Sequence, residues 1–364
     1  MPLEDNKMNK KVAVSTYCVW TSYGSILQSF ALKQALASLG IDSYIFIDEL
    51  GADPYKLTRL NGNKGLKGLI VSGYMRFNRK KILSQYVKTN EFIKKYLDIV
   101  EYKDYKDLQN NIPSADFYLS GSDQVFNPLK NSPAFFLDFV VDKARCYSYA
   151  CSMGETKVPT EKEADFSRLI NNFNVISCRE EDNIPILKRY NPNAKYFNHI
   201  DPTFLLAPVE WRKIMTPYAK ITKRYILVYP IYWDPQINKK LKTLHEMTGI
   251  DIVTICSGLS KVYANKRLMD VSVSEFLWLI DHAEGVVSSS FHGVALSLIL
   301  NKKIAAVVNP DLPSRILCLL KKIDAKTLDV ENLISDEMNY DVINQNIAKE
   351  KTKGMDYLEE FFGE

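Results

Sequence analysis

A chain of 364 residues is longer than one typical domain and suits two, each able to bury its own core. Hydrophobic residues at 46% and charged residues at 25% are ordinary globular values, which exclude long disorder and a membrane bundle. A net charge of +4 is too mild to argue for nucleic acid as a partner.

The amino terminus, MPLEDNKMNKKVAV, has acids where a secretion signal needs a basic and then an apolar run. No apolar stretch reaches the roughly 18 residues of a spanning helix, so the expected address is the cytoplasm. A strand is predicted at 12–14, followed by a polar turn through Ser22, Tyr23 and Gly24. Ile26, Leu27, Phe30, Leu32, Leu36 and Leu39 then recur at helical spacing up to Gly40, and 41–47 reads as the next strand.

Between Asp53 and Glu91 there is no acid, but there are Lys56, Arg59, Lys64, Lys67, Arg76, Arg79, Lys80, Lys81 and Lys88. Tyr55, Tyr74, Phe77 and Tyr86 are interleaved with them, which suits an anionic membrane surface or a lipid diphosphate. A solvated basic helix and loop is the plainer alternative. With the Tyr-rich, helix-like stretch 89–109, the region from about 54 to 110 reads as an insertion.

Strands are expected at 115–119, 146–150 and 175–178, with helices at 162–173 and after Pro185. The pattern loosens over 202–216, the candidate link. This divides the chain into an N-terminal α/β domain (1–207), a C-terminal Rossmann-like domain (208–340) and a helical tail (341–364). The second half alternates strands at 225–229, 252–256, 285–288 and 304–308 with helices at 237–247, 275–283, 294–300 and 315–322, so a parallel, doubly wound sheet is predicted. Ser272 and Glu275 form a capping box for the second of those helices.

Ligands of parallel α/β sheets bind beyond the carboxyl ends of the strands, so the residues following each strand carry most weight. Ser288, Ser289, Ser290, Phe291, His292 and Gly293 sit between a strand and a helix start, where backbone amides and the helix dipole favour an anion. The hydroxyls can donate to phosphate, His292 can donate or release a proton near neutrality, and Gly293 permits close approach of a ligand. Plain capping, with His292 bonded into the domain interface, is the alternative. Ser122, Asp123 and Gln124 follow another strand and suit a sugar hydroxyl, as hydrogen-bond partners or base, unless they form a simple Asx turn. Arg179 is either an anion clamp or the ion-pair partner of Glu180 or Glu181, and Asp201-Pro202-Thr203 and Arg315 are weaker candidates.

Six cysteines lie scattered without CxxC or zinc-type spacing and read as reduced core residues. GxGxxG, P-loop, GxSxG and HExxH strings are missing, so neither a nucleotide cofactor nor a catalytic metal is expected.

Taken in order, YGSILQSFAL (23–32), SGSDQVF (120–126), YSYACSMG (147–154), SCRE (177–180), DPTFLL (201–206), EFLWLIDHAEGVVSSSFHGVALSLILNK (275–302) and SRILCLLKKI (314–323) resemble the polysaccharide pyruvyl transferase family. The resemblance implies a GT-B-like fold, two Rossmann-like domains facing a cleft, with 1–207 on the acceptor side and 208–340 on the donor side. It also implies transfer of the enolpyruvyl unit of phosphoenolpyruvate, a co-substrate used without a cofactor, onto a sugar of a lipid-linked surface-polysaccharide or capsule precursor. The product would be a pyruvate ketal and phosphate. Carried over by motif, Arg179, Ser289, Ser290, Phe291, His292, Gly293 and Arg315 are expected at the donor, and Tyr23, Gly24, Gln28, Ser122, Asp123 and Gln124 at the acceptor. His292 and Asp123 are the expected catalytic pair.

The chain departs from the family pattern at Ser290, where some members have arginine, at Phe126, where tryptophan is frequent, and at Ser22, where asparagine is. Arg315 is the candidate replacement cation. A sugar-nucleotide glycosyltransferase on the same fold and a catalytically silent glycan-binding protein are the alternatives.

Overall fold

The computed structural model describes residues 10–47, 73–130, 132–256, 261–309 and 314–363. Short, buried apolar runs dictate the architecture. Strands such as β8 (Tyr225–Tyr229, YILVY) bury every residue and therefore need cover on both faces, which parallel sheets flanked by helices provide.

The first half contributes β1 (Lys11–Ser15), α1 (Tyr23–Ser38), β2 (Asp42–Ile47), α2 (Arg79–Tyr96), β3 (Ile99–Glu101), α3 (Tyr105–Asn110), β4 (Phe117–Ser120) and β5 (Cys146–Ser148). Their sheet is parallel in the order β3-β2-β1-β4-β5. After α4 (Glu163–Ile170), the parallel pair β6 (Val175–Cys178) and β7 (Lys195–Asn198), joined through α5 (Ile184–Tyr190), continues beyond β5. Ser177 N donates to Ser148 Oγ at 2.8 Å, and the backbones of Cys151 and Cys178, both free thiols, pair in a single parallel β-bridge.

Past α6 (Pro208–Lys213), the second half comprises β8, α7 (Gln236–Thr248), β9 (Asp251–Ile255), β10 (Lys266–Leu268), α8 (Val273–Asp281), β11 (Gly285–Ser288), α9 (Phe291–Ile299), β12 (Ile304–Ala306), α10 (Ser314–Lys322) and α11 (Tyr340–Phe362). Its parallel order, β10-β9-β8-β11-β12, repeats that of the first sheet. Each is a doubly wound half whose strand order reverses beside its first strand, where a crevice opens at the carboxyl ends.

The halves are joined by apolar packing around α1, which buries twelve of its residues. Tyr23 stacks on Phe276 of α8 with centroids 4.6 Å apart, and Phe30 meets Trp211 of α6 at 5.8 Å.

One local reading of the sequence changes, and two features come only with the structure. The stretch 89–109 is not one helix: α2 stops at Tyr96, the β-branched pair Ile99 and Val100 forms β3 against β2, and Asp104 caps α3 by accepting from Asp107 N. The short strands β7 and β10, not predicted, lie at sheet edges: β7 is exposed or half-buried along its length, and β10 exposes Lys266 and Arg267 and buries only Leu268. The C-terminal helix packs back on the first half: Phe362 meets Phe117 at 5.6 Å and Tyr357 OH donates to Ser148 O at 2.8 Å.

Of the basic segment, Tyr55, Lys56, Arg59, Lys64 and Lys67 lie outside the described residues. Arg76, Phe77, Arg79, Lys80 and Lys81 are exposed, Phe77 by 88%. No described helix is long and apolar enough to cross a membrane.

Candidate active site

The loops beyond β1, β4, β8 and β11 meet around a cavity of about 470 Å³ between the two halves. Its wall includes Gly24, Asp123, Gln124, Ser289, Ser290, Phe291, His292 and Arg315, which the sequence singled out, and Tyr17, Cys18, Lys130 and Tyr229, which it did not.

The serine turn is built mainly from bonds to the protein itself. Ser288 Oγ donates to Tyr229 O at 2.8 Å and accepts from Ser290 N. Ser289 Oγ accepts from Ile231 N and Tyr232 N, both at 2.9 Å, and donates to Tyr232 O. Ser290 caps α9 by accepting from Gly293 N at 3.3 Å. The hydroxyls expected to grip phosphate therefore hold the turn together. Gly293 packs inward rather than toward a ligand, since a Cβ there would lie 2.3 Å from Ser288 Oγ.

His292 opens the helix with its ring wedged between Gly24 and Asp201. A Cβ on Gly24 would come within 2.2 Å of Nδ1, while Nε2 lies 3.5 Å from Asp201 Oδ2. Asp201 is wholly buried and is the hub of the site. Its Oδ1 accepts from Thr203 N and Oγ1 at 3.0 and 2.8 Å; its Oδ2 accepts from Arg179 Nη1 at 2.8 Å and Ser122 Oγ at 3.1 Å. Burial works to raise the Asp201 pKa, but His292 first and then Arg179 hold it well below the carboxylate range.

Arg179 lies behind this wall, not in the cavity. Its Nε donates to Glu180 Oε1 at 3.0 Å and its guanidinium lies 4.1 Å from the Phe291 ring centre, so its contacts are those of the ion-pair reading, with Glu180 as the partner. Burial disfavours its charge, but Glu180 and Asp201 hold its pKa above the ordinary range. Arg315 does face the cavity, where burial and then Arg179 push its pKa down. With its amide oxygen turned to that guanidinium, Gln124 accepts from Arg315 Nη1 and Nη2 at 2.8 and 3.0 Å.

Asp123 has φ 74° and ψ −170°, a region that suits glycine, and is held there by Ser152 N donating to its carbonyl at 2.8 Å. Gly154 (φ 68°) makes room for Gln124: a Cβ there would lie 2.6 Å from the Gln124 Cδ.

Three expected acceptor residues lie outside the cavity wall. Tyr23 OH donates to Val271 O and accepts from Gln85 Nε2, both at 2.8 Å, at the interface of the halves. Gln28 Nε2 donates to Thr16 Oγ1 at 2.9 Å, and Ser122 Oγ divides between Ala150 O and Asp201. Both shape the loops around the cavity. The three departures also have structural roles: Ser22 caps α1 by accepting from Ser25 N, Phe126 stacks on Phe136 in the core, and Ser290 caps α9.

Cys18 lines the cavity, but burial pushes its thiol up to about 12, which removes it as a nucleophile. Lys130 lies 4.8 Å from the Tyr17 ring centre, and only its place after the GSDQ turn, past Pro128, hinted at the cavity. Among the described residues no group of three or more His, Cys, Asp or Glu is placed to hold a metal.

No curated protein matches the chain. Among solved structures, UDP-N-acetylglucosamine 2-epimerase from Rickettsia bellii superposes with TM-score 0.50 at 11% identity, covering 97% of this chain and 98% of that one. MnaA of S. aureus, solved with UDP, gives TM-score 0.50 at 11% identity over 98% and 93%. These likenesses show the GT-B fold alone. Residues 23–311, which contain Gly24, Asp123, Gln124, Lys130 and the turn from Ser289 to His292 but neither the cavity-lining loop 16–22 nor Arg315, match the polysaccharide pyruvyl transferase model. The chain thus belongs to the polysaccharide pyruvyl transferase family.

Proposed function

We propose that the protein transfers the enolpyruvyl unit of phosphoenolpyruvate to a sugar of a surface-polysaccharide precursor, forming a ketal across two hydroxyls. The observation that carries this reading is the meeting of Arg315 and Lys130, His292, and the carboxylate of Asp123 around one cavity in a chain of this family. A donor with close to three negative charges needs cations, and ketal formation needs an acid and a base.

The reaction balances on the two acceptor hydroxyl protons. One ends on the donor's methylene carbon, making it a methyl group, and the other leaves with phosphate. Protonation of the methylene carbon creates an oxocarbenium-like centre that the first hydroxyl attacks. The C–O bond to phosphate then breaks, and the second hydroxyl closes the ketal. In this reading Asp123 takes a hydroxyl proton, His292 serves the phosphate as hydrogen-bond donor and general acid, and Arg315 supplies the cation absent at Ser290. Arg179 acts through Asp201 and Phe291, which it touches.

The acceptor is read as lipid-linked and the enzyme as working at the inner face of the membrane. The support is the exposed basic face of α2, whose Tyr86 meets Trp20 edge-on at 5.3 Å, in the loop that continues from the cavity wall.

The test is phosphate release from phosphoenolpyruvate with a galactose-terminated acceptor. His292→Ala is expected to lose about 100-fold or more, the range for removing a general acid. An undiminished rate would remove His292 from the chemistry. Stabilisation by a nucleotide sugar and not by phosphoenolpyruvate in a thermal-shift series would instead favour a glycosyltransferase.

A further inference from the structure

His292 presents its two ring nitrogens to different surroundings. Nε2 is buried, has no hydrogen-bond partner among the described residues, and points to a carboxylate oxygen 3.5 Å away, on Asp201. Nδ1 lies against Gly24, and both residues line the cavity. A neutral imidazole carries one N–H, and the nitrogen nearer an immobile carboxylate keeps it.

Asp201 is built to be immobile. Four donors from Thr203, Arg179 and Ser122 surround it, and its two oxygens are already occupied when His292 approaches. Arg179 offsets its buried charge and is itself braced by Glu180. The other charged groups in the cavity wall are Asp123, Lys130 and Arg315, joined there by the phenol of Tyr229. Asp201 belongs to the segment that leaves the first half, whereas His292 opens a helix of the second, so the 3.5 Å gap spans the junction. Catalytic hydrogen bonds are often long in unliganded structures and tighten when the complex closes.

We propose that Asp201 is the positioning residue of this site: it holds resting, neutral His292 as the Nε2–H tautomer, leaves Nδ1 facing the donor as the nitrogen that takes up an acceptor hydroxyl proton and then, as imidazolium, donates it to the departing phosphate, and completes its own hydrogen bond to Nε2 as the halves close. The donor's identity rests on the function proposed above; the tautomer does not. A purely structural Asp201, tying the link to β4 and β6 through Ser122 and Arg179, would affect stability and leave the ring's proton where it was.

The test uses the full chain with ¹⁵N-labelled histidine. There are four histidines, and the His292→Gln spectrum identifies the signal in question. Wild type above the imidazole titration is expected to show Nδ1 unprotonated and Nε2 carrying hydrogen. Asp201→Asn turns an amide toward Nε2 and is expected to shift the population to Nδ1–H, with kcat down about 100-fold or more and KM for phosphoenolpyruvate changed less than about threefold, as for loss of a histidine-orienting carboxylate. Thr203→Val keeps the carboxylate and should retain the Nε2–H tautomer, with kcat falling by less than about tenfold. If Asp201→Asn does not fold, the wild-type and Thr203→Val spectra decide. An Nδ1–H tautomer in wild type, or an unchanged tautomer in a folded Asp201→Asn, overturns the proposal. Failure of phosphoenolpyruvate as donor with the predicted tautomer in place overturns only the proposed reaction.

Discussion

At the scale of single residues, the site is set by backbone demands as much as by chemistry. Asp123 occupies a region of backbone space that costs about 1–3 kcal/mol for a residue with a side chain. Its own Oδ1 accepts from Gln124 N at 2.9 Å, a weak local return for that strain. Asp123→Gly is therefore expected to raise stability by about 1 kcal/mol while phosphate release falls at least about 100-fold. Chemical denaturation and a turnover assay read the two effects, and a destabilised, active variant would refute both. Gly24 and Gly154 show the same economy from the other side: each lacks the Cβ that would collide with His292 or Gln124. These glycines were legible in the YGS and CSMG strings, but which side chain each admits was not.

Elements carry the next level of argument. Helix α2 buries Ile82, Gln85, Thr89 and Phe92 while exposing Arg79, Lys80 and Lys81, with Arg76 and Phe77 just before it. A wholly solvated helix has no use for a phenylalanine exposed by 88% beside four cations, whereas an anionic lipid surface accepts both. Reversing Arg79, Lys80 and Lys81 to Glu should abolish co-sedimentation with vesicles containing phosphatidylglycerol and leave turnover of a soluble acceptor within about twofold. Equal binding of the triple variant would show that the basic face is merely solvated. The helix read over 89–109 failed because periodicity alone does not locate an end. Leu97 and Asp98 break the run, and β2 recruits Ile99 and Val100 to the sheet edge.

At the scale of the whole molecule, the C-terminal helix closes the structure on a buried polar cluster. His199 is pushed down to about 4, by burial first and by Lys322 second, and Ser177 Oγ lies 2.8 Å from its Nδ1 while Tyr357 of α11 covers the ring at 4.6 Å. The unfolded chain takes up this proton near pH 6.5 and the folded chain only near 4. Its contribution is thus fully present above pH 6.5 and is lost progressively as pH falls toward 4, by on the order of 3 kcal/mol. Thermal melts between pH 7 and 4 should show this loss in wild type and a shallower one in His199→Gln. Parallel slopes would mean that other groups govern acid unfolding. The sequence by itself determined the alternation of strand and helix, the loops at strand ends, and the family to which they belong, because hydrophobic period and turn chemistry are local properties. Tertiary structure alone decided that the serine hydroxyls are spent on the turn, that Arg179 stands behind the wall, that Tyr23 and Ser122 lie outside the cavity, and that Asp201 faces His292. Those outcomes depend on which loops two separate sheets bring together, and no local pattern in the chain encodes that distance.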